Sequence, residues 1–196
     1  KKLLKKYLII FKEIEMNVAN FLTILRLSSP LFFIIICLVV EEKNTESLCI
    51  LLCFVFMSIT DYFDGLIARK YNQISLFGKV FDPISDKILV SSALLYILSF
   101  DSNILLPSII IIFREFLVSG IREFSTSKSK IHIDVAYISK IKTCLQFISI
   151  ASFLSNNLLQ SLYALNVYNY ALYGIWIATI LTLYTGLKYA STIVIK

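Results

Sequence analysis

Residues 61–86 read DYFDGLIARKYNQISLFGKVFDPISD and place four aspartates in a chain that is otherwise mostly apolar. On insertion scales an aspartate at the centre of a bilayer costs about 2.5–3.5 kcal/mol, so four of them call for compensation. On a helix, Asp61 and Asp64 are three residues apart and face the same way, with Ala68 and Arg69 on nearly the same stripe two turns later. On the next helix Gly78, Asp82 and Asp86 step by four and share a face. The link at 71–74 is short, which makes the two helices antiparallel neighbours. Four carboxylates then converge. Crowded negative charge needs cations, and all-oxygen ligation suits Mg2+ or Mn2+. Gly65, Ala68 and Gly78 are small, which admits either close helix packing or a ligand near the backbone. Arg69, one turn beyond Asp64, has the fork that grips a phosphate. Metals, arginine and open space together make a diphosphate site.

The rest of the chain sets that hairpin in a membrane. Of 196 residues, 58% are hydrophobic and 16% charged, and the mean hydropathy is +0.79. A soluble domain carries about 45–50% apolar and about 25% charged residues, so a single soluble core cannot hide this surface. A spanning helix needs roughly 20 mainly apolar residues. The apolar runs fall at 20–40, 47–70, 75–100, 104–124, 137–155 and 169–190, separated by polar links at 41–46, 71–74, 101–103, 125–136 and 156–168. The expectation is an all-α membrane protein of six transmembrane helices, one domain over 17–196. Residues 1–16 place Leu3, Leu4, Tyr7, Leu8 and Phe11 at helical spacing among lysines, as an amphipathic interfacial helix would. No cleavable signal peptide is expected, and Met16, where the recognisable sequence begins, is an alternative start.

With the N-terminus in the cytoplasm, six spans put nearly all cationic residues on one side. Five lysines before residue 16, then Arg69, Lys70, Lys128, Lys130, Lys140, Lys142, Lys188 and Lys196 lie in or toward cytoplasmic regions, whereas the opposite links hold only Lys43. Topology thus accounts for the net charge of +6, and no nucleic acid is needed. Cys37, Cys49, Cys53 and Cys144 fall in apolar runs without metal-ligand spacing and read as reduced hydrophobes. His132, in a polar link, reads as a surface residue.

The array Asp61-x2-Asp64-Gly65-x2-Ala68-Arg69-x8-Gly78-x3-Asp82-x3-Asp86 resembles, position for position, the signature of the CDP-alcohol phosphotransferase family. Asn17-Val-Ala-Asn20-Phe-Leu-Thr23-x2-Arg26, Arg114-Glu115-x3-Ser119-Gly120-x-Arg122-Glu123 and Lys140-Ile-Lys142-Thr143-x2-Gln146 look like the bacterial branch whose acceptor is glycerol 3-phosphate. The resemblance covers about 16–150; the last span reads as a generic apolar helix. It implies that Asp61, Asp64 and Asp82 ligate two metals, with Asp86 completing the site and acting as general base. It also implies that Gly65, Ala68, Arg69 and Gly78 border the CDP moiety of CDP-diacylglycerol, with Asn20 and Thr23 approaching the nucleotide from the other side. A homodimer in a bacterial-type cell membrane is expected from the same likeness.

The acceptor must be read from other residues. Glycerol 3-phosphate is a dianion and needs cations. Arg114 and Arg122 lie eight apart on the fourth span, within about 80° around a helix at roughly 100° per residue, and Lys140 and Lys142 open the fifth span. For the lysines, positive-inside anchoring weighs equally. For Arg114, deep in a span, a structural pairing with Glu115 or Glu123 is the competing role. Inositol phosphate, serine or phosphatidylglycerol remain alternative acceptors. A cation transporter is the alternative of a different class, although such proteins more often show broken helices around midplane sites.

Overall fold

The computed structural model describes residues 18–70, 76–128 and 136–194, with side chains described over 20–60, 77–78, 80–121, 138–189 and at Ser191. Residues 1–16, the link at 71–74 and His132 lie outside the described residues. Seven α-helices account for the regular structure among the described residues: α1 Val18–Leu27, α2 Ser29–Val39, α3 Lys43–Lys70, α4 Leu76–Leu98, α5 Leu105–Lys128, α6 Ala136–Tyr163 and α7 Tyr168–Val194. A 3-10 turn, Ser102–Ile104, leads into α5, its start capped by the Asp101 carboxylate accepting from the Asn103 backbone N–H at 2.9 Å.

α4 is the hub. α1, α2, α3, α5 and α6 all pack against it, while α7 leans on α5 and α6. The reason is visible along its length: Leu89, Ala93 and Ile97 step by four and, with Leu94, are fully buried. They meet Ile50 and Phe54 of α3, Ile111 of α5, Ile150 and Leu154 of α6 and Ile175 of α7 in one core. Phe54 stacks on Phe147 with ring centroids 5.3 Å apart. Small residues allow the closest approach. At Gly174 of α7 an added Cβ would run into Ser149 Oγ of α6, so the serine side chain sits directly against the glycine backbone.

The outer surface is apolar. Leu38, Val39, Phe113, Ile148 and Leu187 are all well exposed, which is the surface expected where the surrounding solvent is lipid rather than water. Lys43–Thr60, Ser102–Ile121 and Tyr168–Tyr189 are long and apolar enough to cross a membrane, and the bent pair α1–α2 would make a fourth. α4 and α6 are long too, at 23 and 28 residues, but they carry the charged residues described below.

Two boundaries differ from the sequence reading. The run 20–40 is not one straight helix: it breaks at Ser28 and bends by 49°. Pro30, in the first turn of α2, has no N–H to give and its ring would clash with the carbonyl four residues back. The Ser28 hydroxyl caps the break by donating to the Leu25 carbonyl at 2.8 Å. The run 137–155 continues as helix to Tyr163, because Asn156 turns its side chain to accept from the Val167 N–H at 3.1 Å instead of ending the helix. The helix stops before Ala164, which takes a left-handed φ of 54°.

Candidate active site

Three residues on one stripe of α1 begin the site. Asn20, Thr23 and Arg26 step by three, and all three are buried against the rest of the bundle. Thr23 Oγ1 donates to Asp82 Oδ1 at 2.6 Å. Arg26 donates through one amino group to Asp86 Oδ1 at 2.6 Å, and its other amino group stands 3.7 Å from Asp82 Oδ1. A guanidinium with no exposure is thus held by two carboxylates of α4 that remain 47% and 45% exposed. Ionised pairs of this kind persist in a low-dielectric setting because each charge is the other's solvation.

Asp82 and Asp86 are one turn apart on α4, with half-buried Gly78 a turn before them. Pro83 sits between the two aspartates and withholds an N–H from the helix ladder. Its carbonyl accepts from Lys87 Nζ. As half-exposed, hard oxygen donors, Asp82 and Asp86 suit a divalent cation such as Mg2+. A full ligand set needs more. No three His, Cys, Asp or Glu side chains come within metal-holding reach among the described residues. Asp61 and Asp64, like Gly65, lie in the C-terminal part of α3, which packs on α4; the side chains of Asp61, Asp64, Ala68 and Arg69 lie outside those described.

Asp86 also borders a cavity of about 310 Å³ whose wall brings in α5 and α6. Arg114 and Glu115 come from α5; Lys142 and Gln146 come from α6, one turn apart. Arg114 and Lys142 are both buried. Arg114 donates to Glu115 Oε1 at 3.0 Å and to Thr185 Oγ1 of α7 at 2.7 Å. Lys142 Nζ donates to that same Glu115 oxygen. Gly186 makes room for this arrangement, since a Cβ there would stand 3.1 Å from Arg114 Cγ. Two buried donors in this wall, Arg114 Nε and Gln146 Nε2, have no partner among the described residues. Buried donors of that kind ask for a ligand or water.

Of the cations expected to hold an acceptor, Arg114 and Lys142 therefore meet in the cavity wall. Lys140 does not: it is exposed and absent from the lining. Arg122 lies two turns beyond Arg114 on α5, its side chain outside those described. The sequence reading gives no role to Arg26, Lys87, Gln146 or Thr185. An arginine within an apolar run, three residues after Thr23, was the available signal for the first, since Asn20, Thr23 and Arg26 share a helical stripe.

The sequence matches the CDP-alcohol phosphatidyltransferase family over residues 16–184. It is 38% identical over 177 residues to a CDP-diacylglycerol–glycerol-3-phosphate 3-phosphatidyltransferase of Rickettsia felis, covering 90% of this chain and 95% of the relative. The identically named protein of Rickettsia prowazekii is 39% identical over the same share of each chain. That of Bacillus subtilis is 33% identical, covering 89% of this chain and 94% of the relative. Matched by the family over residues 16–184 and by relatives 33–39% identical over about nine-tenths of its length, the chain belongs to the CDP-alcohol phosphatidyltransferase family.

Proposed function

We propose that the protein transfers the phosphatidyl group of CDP-diacylglycerol to the 1-hydroxyl of sn-glycerol 3-phosphate, giving phosphatidylglycerophosphate and CMP. The observation that carries this reading is the cavity that joins Asp86 to the buried cations Arg114 and Lys142. The relatives' names agree with it.

In this reading Arg114, Lys142 and Gln146 hold the phosphomonoester of the acceptor. Its free hydroxyl then points toward Asp86, which takes the proton as general base. The hydroxyl oxygen attacks the phosphorus bearing diacylglycerol, the bond from that phosphorus to the CMP oxygen breaks, and CMP leaves with the electron pair. Arg26 and Thr23 fix the two α4 carboxylates. Asp61, Asp64, Asp82 and Asp86 would hold two divalent metal ions, Mg2+ or Mn2+, which when bound neutralise the diphosphate and stabilise the leaving CMP. Asn20, Thr23, Gly65, Ala68, Arg69 and Gly78 would face the CDP moiety. Arg122 and Lys140 would reinforce the positive field at the cavity mouth.

The membrane arrangement we propose has six spans, with α1–α2 as one bent span and α4 and α6 as the two polar ones. At about 1.5 Å per residue, α4 and α6 each reach the roughly 30 Å of a hydrocarbon core. Their charges cluster at one end: Asp82, Asp86 and Lys142 lie in the first halves of α4 and α6, and Arg114 and Glu115, near the middle of α5, share a cavity with Asp86 and Lys142. Alternating spans bring these ends to one face, the cytoplasmic one by the charge bias. Residues 1–16 would lie on that face, ahead of a single domain over 17–196, and two copies would form a homodimer, as the family likeness implies.

The test is CMP release by purified protein with CDP-diacylglycerol and each acceptor in turn, with and without divalent metal. Metal-dependent release with glycerol 3-phosphate is expected. Release with inositol phosphate, serine or phosphatidylglycerol alone overturns the acceptor, and no release with any of them overturns the transferase.

A further inference from the structure

Glu115 stands where the acceptor's own anion is needed. Arg114 and Lys142 both donate to a single oxygen, Glu115 Oε1, from α5 and α6 respectively. Both cations are nearly inaccessible, at 7% and 2%, while the Glu115 carboxylate keeps 20% of its exposure and lines the cavity. A carboxylate oxygen shared by a guanidinium and an ammonium is the contact a phosphate oxygen would make with the same pair.

We propose that Glu115 is a specificity-determining residue that acts as a displaceable internal anion. In the empty cavity its carboxylate satisfies Arg114 and Lys142; the phosphate of the acceptor takes that place and Glu115 turns aside about its own side-chain torsions. This rests on the reading of the cavity as the acceptor site. Two buried cations with no counter-ion would be costly, and one carboxylate leaves the trio with a net charge of +1. A monoanion or a neutral alcohol gains little by replacing a carboxylate already in place. A phosphomonoester dianion brings a second charge and further oxygens, which the unpartnered Arg114 Nε and Gln146 Nε2 can answer. The carboxylate therefore filters acceptors by charge, because only a ligand more anionic than Glu115 wins the exchange. Other residues stay in position during it: Thr185 still accepts from Arg114, and Gly186 still leaves that side chain its channel.

The sign of one substitution separates displacement from scaffolding. Glu115→Gln keeps the size and removes the competing charge. Displacement predicts that the KM for glycerol 3-phosphate and the inhibition constant of inorganic phosphate both fall, by about tenfold for the loss of one charge-assisted contact. The KM for CDP-diacylglycerol does not move. Scaffolding predicts the reverse, a raised KM for glycerol 3-phosphate and weaker inhibition by phosphate, and that result overturns the proposal, as does an unchanged KM. Glu115→Asp, which draws the carboxylate back by one methylene, should tighten phosphate in the same direction by a smaller factor and serves if the glutamine variant does not fold. Failure of the acceptor reading looks different. There, inorganic phosphate does not compete with glycerol 3-phosphate even in the unaltered protein, and Glu115 loses its proposed role along with the cavity.

Discussion

Replacing Thr185 by Val removes a hydroxyl and almost nothing else. Thr185 is fully buried on α7, and its Oγ1 accepts from Arg114 at 2.7 Å while donating to the Leu181 carbonyl at 2.9 Å. In the valine variant the Leu181 carbonyl keeps its place in the helix ladder, but one Arg114 amino group loses its acceptor in a buried setting. A hydrogen bond to a charged group contributes about 1.5–3 kcal/mol, and an orphaned buried donor costs about 1–3 kcal/mol. Arg114 Nε already lacks a partner among the described residues, which leaves Glu115 as the one remaining hydrogen-bond partner of the guanidinium among them. If about 1.4 kcal/mol of that loss appears in acceptor binding, the KM for glycerol 3-phosphate rises about tenfold. Steady-state CMP release, with one substrate varied at a time, reads it. The KM for CDP-diacylglycerol should stay put, and Thr185→Ser should restore the KM for glycerol 3-phosphate. A valine variant with an unaltered acceptor KM, or an equal loss toward both substrates, would refute the idea that α7 positions Arg114 for the acceptor.

Arg26→Leu should lower stability by about 2 kcal/mol, between the values for exposed and buried pairs, because the arginine is buried while its carboxylates are half exposed. Thermal unfolding in detergent measures it; an unshifted midpoint counts against Arg26 as the counter-charge of Asp82 and Asp86. Gly174→Ala should cost about 1–3 kcal/mol by overpacking α6 on α7, because the new methyl meets Ser149 Oγ. Adding Ser149→Ala should recover most of the loss, and additive losses in that double-mutant cycle would show that the two positions do not touch.

Much of this arrangement is legible in the residues before any coordinate is known. The four-residue step of Gly78, Asp82 and Asp86 puts them on one face, and Arg114 is too deep in an apolar run to lack a structural or binding partner. Other parts follow from rules that were available. Lys140 and Lys142 are two residues apart, so a helix cannot aim both at one cavity, and only Lys142 lines it. Pro30 inside the apolar run 20–40 is a break signal. Three features have no local signature. Arg114 and Lys142 converge on one oxygen of Glu115 only because α5 and α6 both pack on α4 and wall one cavity there. Thr185 and Gly186 look like any small residues of an apolar helix until Arg114 is seen to lie across them. Asn156 and Asn157 read as the start of a link because polarity marks a helix end on average, whereas here one asparagine bonds across to Val167 and the helix goes on.

The central claim is that Asp86 links the donor side of α4 to the acceptor cavity, taking the proton from the attacking hydroxyl. Its most direct test follows CMP and lipid product together in the purified protein and in Asp86→Asn, with CDP-diacylglycerol and glycerol 3-phosphate. One phosphatidylglycerophosphate should form for each CMP released, and both should fall together by at least about 100-fold in the variant, the scale of losing a general base. Undiminished turnover in Asp86→Asn, or CMP released without glycerol 3-phosphate, would contradict the account.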